Sequence, residues 1–174
     1  MAQVLSRKSN VNMLGMGLLA IVALAFKPHV DPLPWLIWNA SNSVPKGLYF
    51  VVNHAPRIGE IAVLKLPDWA AILADQRNYL PLNARLLKPV AASGGDIVCR
   101  FGLHVFVNGK LIATALKQDK LERDMPVWKG CKRLCVTEIF VLSKHRDSFD
   151  SSYFGPVSID RVIGMAEPLI ILGK

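Results

Sequence analysis

Residues 85–109, RLLKPVAASGGDIVCRFGLHVFVNG, decide the fold class of this chain. The segment consists of short runs of branched and aromatic residues separated by glycine-containing breaks, a pattern typical of β-strands joined by tight turns. Residues 96–101 and 103–109 predict a hairpin. Asn108-Gly109 is a further turn signal, because both residues tolerate the positive φ that tight hairpin turns require. The segment therefore predicts antiparallel β structure.

The same strand pattern recurs on both sides of this segment. Pro168, within the last of these runs, indicates a bulge or a sheet edge, because proline has no N–H to donate to a sheet ladder. Further strands are predicted at residues 47–52, 59–66, 138–143 and 162–172.

One helix interrupts the predicted strands. It is expected to open at Pro67-Asp68 and to continue through DWAAILADQR, where Trp69, Ile72 and Leu73 recur at helical spacing. The chain lacks the regular alternation of strands and helices that a parallel sheet needs. The predicted fold class is therefore mainly β, an antiparallel β domain with one or two short helices.

An uncharged apolar run at residues 11–26 follows Arg7 and Lys8. As a helix, its sixteen residues would span ~24 Å, which is short of the hydrocarbon core of about 30 Å. Two interpretations stay open. A short membrane anchor would be completed by snorkelling of Lys27, whereas a cleaved signal peptide would end near the Ala-Leu-Ala of residues 23–25.

The anchor is the favoured interpretation. PLPWLIW, residues 32–38, continues the apolar character and brings Trp35 and Trp38, which suit a membrane interface. In both interpretations the basic flank stays in the cytoplasm and the rest of the chain is exported. Residues 1–30 are therefore predicted to be a cytoplasmic stub and membrane anchor, and residues 31–174 an exported domain.

Composition limits the partners. The chain has 174 residues and a formal net charge of +8, from 21 Lys+Arg against 13 Asp+Glu. The basic residues are scattered, so nucleic acid is disfavoured and an anionic membrane surface suits the charge. Cys131 and Cys135 could close a small loop in an oxidising compartment, or all three cysteines, with Cys99, could be small apolar residues. The CxxxC spacing alone is no zinc motif, and no cofactor is expected.

Ser43 and Lys88 are the candidate catalytic pair. A serine hydroxyl needs a base to remove its proton, and a lysine can be that base only when burial lowers its pKa from about 10.4. Lys88 lies alone in an apolar run behind Leu86-Leu87, so partial desolvation is expected. Considered singly, Lys88 is more simply a snorkelling lysine and Ser43 a turn residue. Ser41 could donate to an oxyanion or only stabilise the turn.

Three segments, in order, resemble the boxes of the signal peptidase I family of Ser-Lys proteases. Within that family the chain is most similar to the conjugal transfer peptidases of the TraF type, over roughly residues 36–170. The matching residues are Ser41-Asn42-Ser43 with Pro45, then Lys88 with Gly94-Gly95-Asp96, then Ser148, Asp150, Ser151, Tyr153, Phe154 and Gly155.

The resemblance implies a signal peptidase/LexA-like β fold and a role for each of five residues. Ser43 would be the nucleophile and Lys88 the general base. The Ser41 hydroxyl and the Ser43 backbone N–H would form the oxyanion hole. Ser148 would hydrogen-bond to the Lys88 amine and aim it, and Asp150 would brace the site.

One departure from the family pattern concerns this bracing. Ser152 stands where the family usually has arginine. The expected Asp150–arginine pair is therefore absent, unless Arg146 or Arg161 replaces it. The residues around Lys88 also differ from the usual pattern, but the nucleophile and the base are retained.

The resemblance implies a membrane-anchored serine endopeptidase of the inner membrane with its catalytic domain in the periplasm. Its polypeptide substrate would be a conjugative pilin precursor, either trimmed or cyclised. Two alternatives stay open: a general type I signal peptidase, and a catalytically impaired adaptor of the conjugation machinery, which the absent arginine at Ser152 favours. A cleaved N-terminal segment would instead leave a soluble periplasmic enzyme, and the sequence leaves the oligomeric state open.

Overall fold

The computed structural model describes residues 35–172. The predicted cytoplasmic stub and anchor lie outside these residues. None of the helices within residues 35–172 is long and apolar enough to cross a membrane.

The described chain is mainly β, as the sequence predicts, with few and short helices. Its strands are β1 (Leu36–Asn39), β2 (Gly47–Val52), β3 (Ile61–Lys65), β4 (Arg85–Ala92), β5 (Ile97–Phe101), β6 (His104–Val107), β7 (Lys110–Thr114), β8 (Gly130–Arg133), β9 (Glu138–Val141), β10 (Val157–Ser158) and β11 (Val162–Ile171). Its helices are α1 (Asp68–Gln76), α2 (Ser151–Phe154) and a single 3₁₀ turn, Ile159–Arg161.

The strands form two antiparallel sheets. The larger has the order β1-β2-β11-β3-β4-β9-β10, and the smaller has the order β7-β6-β5-β8. Within the larger sheet, β4 pairs with β3 from Arg85 to Pro89 but with β9 only at Val90 and Ala92. Among the described residues, no strand therefore covers the second side of β4 from Arg85 to Lys88.

Both faces of the larger sheet are covered at its centre. Ala62, Val63 and Leu64 of β3 are buried in succession, and alternate residues of a strand point to opposite faces. Ala62 and Leu64 pack in the main core, whereas Val63 packs with Tyr49 and Leu87 on the other face. Two-sided burial explains why this strand appears in the sequence as an apolar run without strict alternation.

The predicted hairpin and the predicted bulge are both present. β5 pairs with β6, and β6 turns into β7 through Asn108 and Gly109, which have φ of 49° and 79°. Positive φ at both positions is what a tight hairpin turn needs. The β11–β2 register shifts between Pro168 and Ile170, so the proline marks an irregularity in the ladder.

Helix α1 forms where predicted, but its buried face differs from the predicted one. Trp69 and Ile72 are 49% and 50% exposed, whereas Ala70 and Ala74 are fully buried. The two alanines are one helical turn apart and join the main core with Leu64. Their small side chains let the helix lie close to the sheet, so Trp69 and Ile72, two of the three apolar residues at helical spacing, lie largely at the surface.

The disulfide pairing differs from the Cys131–Cys135 loop considered from the sequence. Cys99 of β5 is bonded to Cys131 of β8, and Cys135 is free and exposed. The register explains the pairing, because Cys99 and Cys131 lie directly opposite each other, with Cα atoms 4.0 Å apart. That distance is just below the range usual for disulfides, whereas Cys135 follows the end of β8 and faces solvent.

This disulfide predicts a stability difference. The bond closes a loop with a sequence separation of 32, and chain-entropy arguments assign roughly 3–4 kcal/mol to such a loop. Replacing both cysteines, Cys99→Ala with Cys131→Ala, should lower the free energy of unfolding by up to about that amount, measured by urea titration. Cys135→Ala is the matched control and should leave the midpoint unchanged; equal loss in both variants would contradict the pairing.

Candidate active site

The loop between β1 and β2 carries Ser43 and is organised by one buried side chain, Asn39. Its Nδ2 donates to the carbonyls of Ser41, Val44 and Pro45, each at 3.0 Å. Its Oδ1 accepts from the Ser41 N–H at 3.1 Å and from the Ser41 hydroxyl at 2.7 Å. Asn39 therefore pairs several polar groups that the tight loop would otherwise leave unpaired.

From the sequence alone, Asn39 is assigned no role. The available signal was an asparagine at the end of an apolar strand and the start of a serine-rich turn, since asparagine readily bonds the backbone of a turn. The far end of the loop is equally constrained. A Cβ at Gly47 would lie 2.1 Å from the Ile170 carbonyl oxygen of the neighbouring strand, so only glycine fits there.

Lys88 lies in β4 opposite Ala62 and is 4% exposed. Its Nζ is 2.7 Å from Ser43 Oγ and 2.5 Å from Ser148 Oγ. The two hydroxyl oxygens are 3.4 Å apart. The fold therefore brings together three residues that are separated by 45 and 60 positions in the chain.

The burial of Lys88 changes its protonation. Desolvation lowers the pKa of the Lys88 amine from its usual 10.5 to about 8, and the nearby Asp150 carboxylate opposes part of this effect. At pH 7 about one molecule in ten then carries a neutral Lys88. A neutral amine has a lone pair for the Ser43 proton and two N–H groups, one of which can donate to Ser148 Oγ.

This arrangement suits nucleophilic catalysis. The nucleophile and the base are within hydrogen-bond distance, and a third group orients the base, which is the general logic of activated serine sites. His145 also lines the groove, but its ring Nδ1 accepts from the backbone N–H of Asp147. Lysine rather than histidine is therefore the group placed to deprotonate Ser43.

The predicted oxyanion-hole groups lie side by side. The Ser43 N–H donates to Ser41 Oγ at 3.4 Å, and the Ser41 hydroxyl donates to Asn39 Oδ1. Each donor has a protein partner, so an oxyanion would have to take over these hydrogen bonds. The long 3.4 Å contact is the one most easily given up, and the oxyanion role of Ser41 stays a prediction.

Asp150 is buried and is held without arginine. Its Oδ1 accepts from the Ser152 N–H at 3.1 Å and from the Ser152 hydroxyl at 2.7 Å, and its Oδ2 accepts from the Ser143 N–H at 3.1 Å. Neither candidate replacement reaches it. Arg161 pairs with Asp68 at 2.9 Å, and Arg146 is exposed. The serine at position 152 thus supplies the hydrogen bond that the family's arginine would be expected to supply.

A different arginine reaches this region from the smaller sheet. Arg100 of β5 is fully buried, and its Nη1 donates to the Ser152 carbonyl of α2 and, at 3.1 Å, to the Pro126 carbonyl. Its guanidinium also lies 5.8 Å from the centre of the Tyr153 ring. Sequence reasoning missed Arg100, although a lone arginine inside the apolar run DIVCRF was the available signal.

Ser43, Lys88 and Ser148 open onto a groove with a volume of about 640 Å³. One wall is the loop at residues 116–125, which Asp119 folds by accepting from the Tyr79 hydroxyl at 2.5 Å and from Arg123 Nε at 2.7 Å. Lys120, in this loop, pairs with Asp147 at 2.8 Å. This charged loop is therefore a wall of the groove, although most of its residues face solvent. The groove's apolar lining includes Leu80, Leu86, Leu116, Met125, Phe149 and Tyr153.

The family described as signal peptidase, peptidase S26, matches this chain over residues 8–170. The chain belongs to this family of serine-type peptidases. The match extends over both the groove and the elements that build it.

More particular similarities are to proteins of plasmid transfer. Two plasmid transfer proteins TraF of Escherichia coli are 30% and 28% identical to the chain over 144 residues, which is 76% of the chain and 81% and 80% of those proteins. A probable conjugal transfer protein TraF of Sinorhizobium fredii (strain NBRC 101917 / NGR234) is 30% identical over 145 residues, covering 76% of the chain and 75% of that protein. A solved signal peptidase I of Enterococcus faecalis is 20% identical, with a TM-score of 0.40, over 66% of the chain and 98% of its own.

The lowered pKa of Lys88 predicts the pH dependence of Ser43 reactivity. Only the neutral amine can accept the Ser43 proton, so the acylation rate should fall about tenfold per pH unit below a midpoint near 8. The rate should level off above that midpoint. Stopped acylation assays with a peptide ester between pH 5.5 and 9.5 check this profile. A rate independent of pH from 6 to 9 would contradict a base whose pKa lies near 8.

Proposed function

We propose that this protein is a membrane-anchored serine endopeptidase that processes an exported precursor, with Ser43 as nucleophile and Lys88 as general base. The observation that carries the proposal is the 2.7 Å contact between Ser43 Oγ and Lys88 Nζ, made by a lysine that burial has brought to a pKa of about 8. An intact Ser–Lys–Ser cluster favours an enzyme over a catalytically impaired adaptor.

The proposed reaction has two stages. Neutral Lys88 takes the proton of Ser43 Oγ as this oxygen attacks the scissile carbonyl, and the carbonyl oxygen becomes the oxyanion. Lys88 then gives its proton to the leaving amine, and an acyl-enzyme remains on Ser43. In the second stage Lys88 deprotonates an incoming nucleophile as it attacks the acyl carbonyl. The ester bond to Ser43 then breaks, and Lys88 returns the proton to Ser43 Oγ. Water would give a trimmed product, and the amine of the same substrate chain would give a cyclic one.

The substrate is proposed to bind as an extended peptide. The uncovered side of β4 from Arg85 to Lys88 offers backbone groups to an added strand, which suits β-augmentation. A strand there would run past Leu86 on its way to Lys88, and these two side chains point to the same face of β4. Small apolar side chains next to the scissile bond would fit the mainly apolar groove.

The proposed substrate class is a conjugative pilin precursor. Support comes from the TraF relatives, whose printed names describe plasmid or conjugal transfer. The similarity covers 76% of this chain and 81% and 75% of those two relatives.

The proposed location is the inner membrane, with the catalytic domain in the periplasm. Besides the apolar run at residues 11–26, an exposed apolar surface supports it. Trp35 and Trp38, at β1, are 74% and 55% exposed, and the end of β11 adds residues 169–172, all at least 43% exposed. Exposed tryptophans next to aliphatic side chains suit a lipid interface. The Cys99–Cys131 disulfide suits an oxidising compartment.

Ser43→Ala and Lys88→Arg should each abolish processing of the pilin precursor in cells. Alanine removes the attacking oxygen, and a guanidinium stays protonated and cannot act as a base. The loss should be at least about a thousandfold in kcat for each variant. Immunoblotting of precursor and mature pilin measures it, with a conjugation assay and a general secretion reporter run in parallel.

Matched controls are Ser93→Ala and Lys110→Arg, which make the same chemical changes away from the groove and should process normally. Processing that persists in Ser43→Ala would refute the protease proposal. Loss of the secretion reporter together with pilin processing would instead support a general signal peptidase.

A further inference from the structure

We propose that Arg100 and Ser143 are positioning residues of this active site, connected to the nucleophile by a buried hydrogen-bond chain through Ser152 and Asp150. This inference rests on the proposed function, because it concerns how the Ser43–Lys88 pair is held for acylation. Neither Arg100 nor Ser143 touches the reacting atoms, so each would act through its neighbours.

One end of this hydrogen-bond chain is the backbone of the nucleophile. Ser143, directly after β9, donates its hydroxyl to the Ser43 carbonyl at 2.7 Å. The Ser143 hydroxyl oxygen also accepts from the His145 N–H at 3.1 Å. Because Ser143 is buried, this contact fixes the peptide plane that follows Ser43 and hence the direction of the Ser43 side chain.

The middle of the hydrogen-bond chain is the Asp150 carboxylate. Its two oxygens serve different partners: Oδ2 accepts from the Ser143 N–H at 3.1 Å, and Oδ1 accepts from the Ser152 hydroxyl at 2.7 Å and from the Ser152 N–H at 3.1 Å. All three residues are less than 10% exposed. In a site so poorly hydrated, hydrogen bonds to a carboxylate are strong, so displacement of one partner is felt by the other.

The other end of the hydrogen-bond chain is Arg100. Its Nη1 donates to the Ser152 carbonyl, and Trp128 Nε1 donates to the same carbonyl at 3.1 Å. Its Nη2 is buried without a hydrogen-bond partner among the described residues. Burying a cation without a carboxylate partner is costly, so a purely structural explanation would require a large compensating gain in packing.

Arg100 also donates to the Gly102 and Pro126 carbonyls, each at 3.1 Å. It therefore anchors the smaller sheet as well as α2. A decisive experiment must separate the effect on the nucleophile from a general loss of stability.

The test is a double-mutant cycle on the full chain, with Ser143→Ala, Arg100→Met and the double variant. Each single change should lower kcat for acylation by about tenfold, because displacing a nucleophile by a fraction of an ångström is costly. KM should stay within a factor of two. The kcat of the double variant should be about that of the slower single variant, since both changes break the same hydrogen-bond chain.

The pH midpoint of acylation should stay near 8 in all three variants, because the burial that mainly lowers the Lys88 pKa is unchanged. Arg161→Met is the matched control: this arginine donates to Leu66 and Asp68, so its loss should leave kcat unchanged. The backbone amide resonances of Ser43 and Val44 should shift in Arg100→Met but stay in place in Arg161→Met. These resonances report the loop without requiring turnover.

Additive losses in the double variant, or full activity in Ser143→Ala, would overturn the proposal. If Arg100→Met does not fold, as judged by circular dichroism, Ser152→Ala takes its place in the cycle with the same expectation. A wild-type protein that forms no acyl-enzyme would contradict the proposed function. Ser43 and Val44 resonances that do not shift in Arg100→Met, or in Ser152→Ala where it replaces that variant, would contradict the inference on their own.

Discussion

The burial of one amine, Lys88 Nζ, is the constraint around which the described structure is arranged. An unpaired ammonium in an apolar sheet is unfavourable, so the group tends to lose its proton unless nearby groups stabilise the charge. Here the neighbours are two hydroxyls, Ser43 Oγ and Ser148 Oγ, and the more distant Asp150 carboxylate. This balance leaves the pKa of the Lys88 amine near 8. An amine whose pKa lies close to neutral pH can both accept and donate a proton.

The two hydroxyls come from loops held by different means. Asn39 and the close approach at Gly47 fix the loop that carries Ser43. The Ser148 segment leads directly into α2, where the Asp150 side chain caps the Ser152 N–H. The smaller sheet contributes through Arg100, which reaches α2 from β5. Both sheets therefore contribute contacts to the elements that surround Ser43 and Lys88.

The sequence predicts features that depend on neighbouring residues. The Asn108-Gly109 turn is local chemistry, and so is the position of α1. Features that depend on register were not predictable: Cys99 meets Cys131 only because β5 and β8 pair in one particular alignment, and the buried face of α1 is chosen by the sheet beneath it. Arg100 was missed because nothing in a strand sequence shows which distant carbonyls its side chain will reach. The Ser43, Lys88 and Ser148 segments were found because three ordered boxes resemble a family, and each alone would have been an ordinary turn or strand residue.

The central claim is that Ser43 forms a covalent acyl-enzyme, and peptide mapping of that intermediate tests it most directly. The protein would be mixed with a chromogenic peptide ester, quenched in acid during the initial burst and digested with trypsin. The predicted result is one modified peptide, residues 9–46, carrying the acyl group on Ser43, because trypsin does not cleave the Lys27-Pro28 bond. Product formation with no acylated peptide, or with the acyl group on another residue, would contradict the account.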